Sequence, residues 1–105
     1  MRKINVKTWK VDGPNGQQEE DTLVALEGVL RLAAQKDMPQ GLDKFKIYTK
    51  LAQAFDKAIK SGTLELEERE YKYLTDLIAD KIPSQWALNK DIREAIEEFL
   101  NAKEE

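Results

Sequence analysis

Two periodicities share this chain, and the switch between them limits the fold more than any other feature. Residues 2–11, "RKINVKTWKV", alternate: Ile4, Val6 and Thr8 fall on one side, Asn5, Lys7, Trp9 and Val11 on the other. Alternation rich in Val, Ile, Thr and Trp is the pattern of a pleated strand. Beyond Asp21 the apolar residues recur at three and four, the spacing of helices. The expected fold is therefore α+β and predominantly α, with a strand over 1–11, a loop over 12–20 and a four-helix core over 21–105. A chain of 105 residues is near the commonest domain size, so one domain is expected.

The helical part divides at clear breaks. Asp21 or Thr22 can cap a first helix that runs to Ala34 and is apolar almost all round, through Leu23, Leu26, Val29, Leu30, Leu32 and Ala33. "KDMPQG" ends it. A second helix spans Leu42 to Lys60, with Phe45, Tyr48, Leu51, Ala52, Phe55, Ala58 and Ile59 on one face, and "SG" stops it. Leu64 and Leu66 alternate in a short extended piece. From Glu67 the period is helical again, with Tyr71, Leu74, Leu77 and Ile78 on one face, until Pro83. "SQWAL" suits one extra turn. Asn89 is a good cap for a last helix with the stripe Ile92, Ala95, Ile96, Phe99 and Leu100.

A lone strand leaves its backbone donors and acceptors unpaired. Two partners fit the N-terminal strand: Thr63–Leu66 within the chain, giving a two-stranded ribbon, or the sheet edge of another chain, either a second copy or another protein. Between them, "DGPNG" reads as a turn. "QQEED" is so polar that only a short strand would fit there.

Composition removes whole classes of chemistry. There is no cysteine, hence no disulfide, thiolate metal site or cysteine nucleophile, a pattern that suits a reducing cytoplasm. There is no histidine, so the usual neutral-pH acid/base and the commonest metal ligand are both missing. No apolar run reaches the length of a membrane span, and the first residues lack the apolar stretch of a secretory signal. No glycine-rich phosphate loop is present. No cofactor and no metal are expected.

What remains is charge and aromatic placement. Residues 2–11 carry a local charge of +4, whereas the acids gather after residue 64. Lys46, Lys50, Lys57 and Lys60 share one face of the second helix and would track phosphates in a nucleic-acid-binding reading. Against it stand the scarcity of arginine, the lack of interleaved aromatics and the acidic neighbours able to pair with these lysines, so nucleic acid is the second reading. Phe45, Tyr48, Phe55, Tyr71 and Phe99 belong to apolar stripes and are expected in the core. Trp86 is expected to cover the core as a lid, and Trp9 stands open between lid and interface anchor.

Two resemblances bear on function. Glu67-x-x-Glu70 and Glu94-x-x-Glu97 resemble the ExxE…ExxD pattern of the all-α nucleotide pyrophosphohydrolases, which implies a carboxylate-bound Mg²⁺. Here Glu97 stands where that family has Asp, and no phosphate-binding lysine set lies nearby, so a solvated acidic face is the ordinary reading. The stretch "GTLELEEREYKYLTDLI" resembles small helical proteins encoded by tailed bacteriophages, among them tail-assembly chaperones, regulators and host-takeover factors. That resemblance implies an assembly or regulatory role in the cytoplasm. The expected function is a non-catalytic protein-interaction module whose partner is another protein or itself, as a homodimer through the N-terminal strand. Its expected surfaces are the strand edge, Lys3, Asn5, Lys7 and Trp9, and the acidic faces of the third and fourth helices.

Overall fold

The computed structural model describes residues 1–36 and 39–104, with only the backbone of Lys36. The described residues form four strands and four α-helices. In chain order these are β1 (Arg2–Asn5), β2 (Thr8–Gly13), β3 (Gly16–Asp21), α1 (Thr22–Lys36), α2 (Leu42–Ser61), β4 (Thr63–Leu66), α3 (Glu68–Lys81) and α4 (Lys90–Leu100), with a 3₁₀ turn over Ser84–Leu88 before α4. The fold is α+β and predominantly α, with a helical core flanked by small sheets. The break expected at "KDMPQG" falls partly on residues 37 and 38, outside the described residues, as does Glu105.

The N-terminal segment is not one strand but two, and the reason lies in where its backbone groups bond. β1 pairs antiparallel with β4, from Arg2 opposite Leu66 to Asn5 opposite Thr63. Val6 extends that pairing by donating to the carbonyl of Gly62 at 3.0 Å. At Lys7 the backbone turns to the start of α1: its N–H donates to Thr22 Oγ1 at 2.9 Å, and its carbonyl accepts from the Thr22 N–H at 3.0 Å. Thr22 is buried there. After this interruption β2 pairs with β3.

The interruption also resets which side chains face inward. In an unbroken strand Ile4 and Trp9 would point to opposite faces; here both are buried. The expected loop over 12–20 is corrected accordingly. It is the turn and return strand of a hairpin in which Lys10 lies opposite Glu19 and Val11 opposite Gln18. Pro14 and Asn15 form the turn between Gly13 and Gly16. Neither takes a positive φ, and the left-handed step falls on Gly16 at φ 102°, where only glycine is free of strain. One cross-strand pair of opposite charge, Lys10 and Glu19, favours the pairing of the otherwise strand-poor "GQQEED".

The main core joins Ile4 of β1 and Leu64 and Leu66 of β4 to Leu26 and Val29 of α1, Leu51 of α2, Leu74 of α3 and Phe99 of α4. A smaller cluster gathers Trp9, Ala25 and Ala95, with Val11 and Ile92 against it. Trp86 touches both clusters, as a lid should, and its ring lies over Gly28. Local signals place the helix ends. Asp21 Oδ1 accepts from the Val24 N–H at 2.9 Å, Asn89 Oδ1 accepts from Asp91 and Ile92, and Gly62 closes α2 at φ 79°.

One residue stitches the chain's first strand to its last elements. The Arg2 guanidinium donates to both oxygens of Glu68, at 3.0 and 2.9 Å, and to the carbonyl of Ala102 at 2.6 Å. It also lies 4.7 Å from the centre of the Tyr71 ring. Tyr71 in turn donates to the carbonyls of Phe99 and Leu100 at the end of α4. Arg2 also bridges to Glu104 across the backbone.

Candidate interaction surface

α2 carries more apolar surface than the fold covers. At about 100° per residue, its apolar positions occupy roughly half the helix circumference. They form two adjacent stripes. Ile47, Leu51, Ala54 and Ala58 face β4 and the core, and three of them are buried. Phe45, Tyr48, Ala52, Phe55 and Ile59 repeat at alternating steps of three and four, the spacing of a helix-pairing seam. On this second stripe Phe45 is 68% exposed and Ile59 72%. The expectation that Phe45 packs in the core is corrected, because it lies at the exposed end of this stripe, while Tyr48 and Phe55 are half-buried against the core.

α1 lies against α3 and α4, and α2 against β4 and α3, so α1 and α2 touch each other little. An apolar groove runs between them with two depressions. One, of about 300 Å³, lies among Leu23, Val24, Phe55 and Ile59, with Asp21, Glu27 and Asp56 at its rim. The other, of about 340 Å³, lies among Leu30, Ala34, Tyr48 and Leu51. Glu27, Ala52 and Phe55 border both. Arg31 at the second depression is tied to Glu27 at 2.6 Å. Beyond it, Tyr73 donates to the Tyr48 hydroxyl at 3.3 Å, and burial, then this contact, pushes the Tyr48 hydroxyl well above its ordinary pKa.

The strand-edge residues divide. Lys3 and Asn5 are exposed on β1, with Lys3 Nζ 3.8 Å from Glu65. Lys7 is exposed and bound to Glu98 at 3.0 Å, which raises its pKa. Trp9 is 6% exposed and sits against Ala25 and Ala95, so it cannot anchor a partner. The break at Lys7 turned it inward, and its indole N–H is buried without a hydrogen-bond partner among the described residues. Lys3, Asn5 and Lys7 thus lack the aromatic anchor expected beside them.

The lysine face of α2 is exposed at Lys46, Lys50, Lys57 and Lys60 but interrupted by acids. Lys50 bonds Glu67 at 3.0 Å, and this contact holds the Glu67 carboxyl below the usual carboxylate range. Lys50 and Lys57 share a cleft of about 410 Å³ with Glu65, Glu67 and Glu70. Glu70, which lines this cleft, is 2% exposed and 3.3 Å from Arg69, and its other oxygen has no hydrogen-bond partner among the described residues.

The four glutamates of the two ExxE pairs are not brought together. Glu70 is buried, Glu67 is held by Lys50, and Glu94 and Glu97 are exposed on α4. Among the described residues, no group of three or more carboxylates is placed to hold a metal ion. On the acidic faces of α3 and α4, Asp80 contacts Lys81 and Glu98 contacts Lys7, while Asp76 is exposed. Among the described residues, no helix is long and apolar enough to cross a membrane.

The groove was within reach of the sequence. An apolar arc of about half a helix is wider than one packing contact fills. Reading it as a single face assigned the whole arc to the core. No protein-family model matches this chain, and neither a curated protein nor a solved structure matches it.

Proposed function

We propose that this chain is a non-catalytic protein-interaction module, of the assembly or regulatory class that the phage-protein resemblance implies, and that it binds a helix of another protein between α1 and α2. The observation that carries this reading is the partly uncovered seam on α2, exposed at Phe45, Ala52 and Ile59 and half-buried at Tyr48 and Phe55. Apolar side chains at helix-pairing spacing face a groove with two depressions, the form of a helix-in-groove receptor. Scattered exposed apolar residues need no explanation, but a contiguous apolar groove does. A second copy of this chain is the weaker occupant. A two-fold interface places the same patch on both sides, and this patch has Asp21, Glu27 and Asp56 against the single Arg31. Two such rims repel.

The test is a photo-crosslinking residue at Ala52, in cells that make the protein, with Asp76 as the control position. An adduct with a different protein at Ala52 only, whose purified partner binds Ile59→Asp at least tenfold more weakly, is the expected result. Ile59 is exposed, so this change should leave stability within about 0.5 kcal/mol. Losing one buried aliphatic anchor removes roughly 1.5–3 kcal/mol of burial, which is tenfold or more in affinity. An adduct between two copies reassigns the groove to a dimer. Equal adducts at Ala52 and Asp76 sink the reading.

A further inference from the structure

We infer that the helix this groove takes is a basic amphipathic one, with two large apolar anchors and Lys or Arg flanking the anchor at the α1 N-terminal end. The inference rests on the docking reading above and adds the chemistry of the partner.

The anchor count follows from the groove's shape. Glu27, Ala52 and Phe55 border both depressions, which follow one another along the groove. Along α1, the first depression spans Asp21 to Glu27 and the second Glu27 to Ala34, which sets their centres roughly 10 Å apart at 1.5 Å per residue. Along α2, the same step is about 6 Å. These two distances are close to the rise between positions i and i+4, about 6 Å, and between i and i+7, about 10.5 Å, of a helix. An incoming helix therefore presents one anchor to each depression and a smaller side chain, or its bare backbone, over Phe55.

The charge follows from the rim. Around the Leu23–Ile59 depression stand Asp21, Glu27 and Asp56, and among the described residues no basic side chain lines it. Asp21 spends one oxygen on the Val24 N–H, and Glu27 contacts Arg31. The second depression is mostly apolar, and its two charges, Glu27 and Arg31, are paired with each other. The groove is thus acidic at one end and balanced at the other. Rim charges of this kind speed association and select the partner's sign more than they add affinity. They also fix direction: the basic flank belongs at the Asp21–Asp56 end.

The experiment selects binders from a library of single helices of about 18 residues with randomised surfaces, displayed against the intact chain. A parallel selection uses Asp21→Asn/Glu27→Gln/Asp56→Asn, which keeps side-chain shape and the capping oxygen at residue 21. Every binder is then retested on Ile59→Asp. The expected result is enrichment of two large apolar residues at i and i+4 or i+7, with Lys or Arg beside the first. Neutralising the three acids should weaken such binders roughly 5- to 30-fold at low salt and far less at high salt. Groove binders, lost on Ile59→Asp, that carry acidic or neutral flanks would overturn the basic-partner inference and leave the docking reading intact. Binders indifferent to Ile59→Asp, or none at all, would overturn both.

Discussion

The β1–β4 ribbon and the β2–β3 hairpin are both short antiparallel pairs that begin in the same ten residues, yet they are held by different means. The ribbon is part of the main core: Ile4, Leu64 and Leu66 are each at most 2% exposed. Helices cover it, and Arg2 ties its end to α3 and to the chain beyond α4. The hairpin buries one large side chain, Trp9, and leaves the first four residues of β3 exposed. A two-stranded pair is marginal alone, so each depends on what it leans against. The ribbon leans on the whole core, the hairpin on a small cluster of Trp9, Ala25 and Ala95.

The largest expected effect breaks the ribbon. Leu64→Ala removes a fully buried side chain at the centre of the main core and should cost about 3–5 kcal/mol, read as a cooperative loss of all structure in urea. A change below about 1 kcal/mol would mean that the ribbon is as peripheral as the hairpin.

Trp9→Ala comes next, and sharpens the contrast. Truncating a buried aromatic usually costs about 3–5 kcal/mol, but an unpaired buried donor costs roughly 1–3 kcal/mol that the mutation relieves. The expected net loss is about 2 kcal/mol, concentrated in the hairpin. Hydrogen exchange should show the amides of β2 and β3 opening while those of β1 and β4 stay protected. If all four strands lose protection together, the two regions are one unit.

The smallest effect is electrostatic. The Glu68 carboxyl is held below the usual carboxylate range, chiefly by its hydrogen bonds from Arg2. A depressed folded-state value contributes stability above the unfolded value of about 4.3, and that contribution is lost as pH falls through the folded value. Melting temperature should therefore be level from neutral pH to about 5 and decline in the acid range below about 4. Glu68→Gln should flatten that decline. An unchanged acid profile would show that the Arg2 contact contributes nothing to holding the ribbon.

The same contrast explains what the sequence made legible. The L-x-L of β4 and the alternation of β1 are apolar signals, and the helices from Asp21 onward carry strong stripes with recognisable caps at Asn89 and Gly62. These came through because burial and local geometry agree. β3 did not, because "GQQEED" has no apolar face to read, and its pairing follows from the Pro14–Asn15 turn and from β2 lying opposite, with Lys10 facing Glu19. The sequence leaves Trp9 open between lid and interface anchor because the interruption at Lys7 is caused by Thr22, fifteen residues away, and no local pattern announces a tertiary hydrogen bond. On α2 the apolar stripe was visible, but which part of it would find a cover depended on where α1 settled.

Trp9 and Trp86 are the only two tryptophans in the chain; Trp9 lies in the small cluster beneath the hairpin, and Trp86 touches both that cluster and the main core. Intrinsic fluorescence is therefore a local probe here, while far-ultraviolet circular dichroism averages over the helices. The protein carries a built-in reporter at the junction between the hairpin and the main core. Followed together on heating, the two signals show whether the hairpin leaves before the rest, with no label attached.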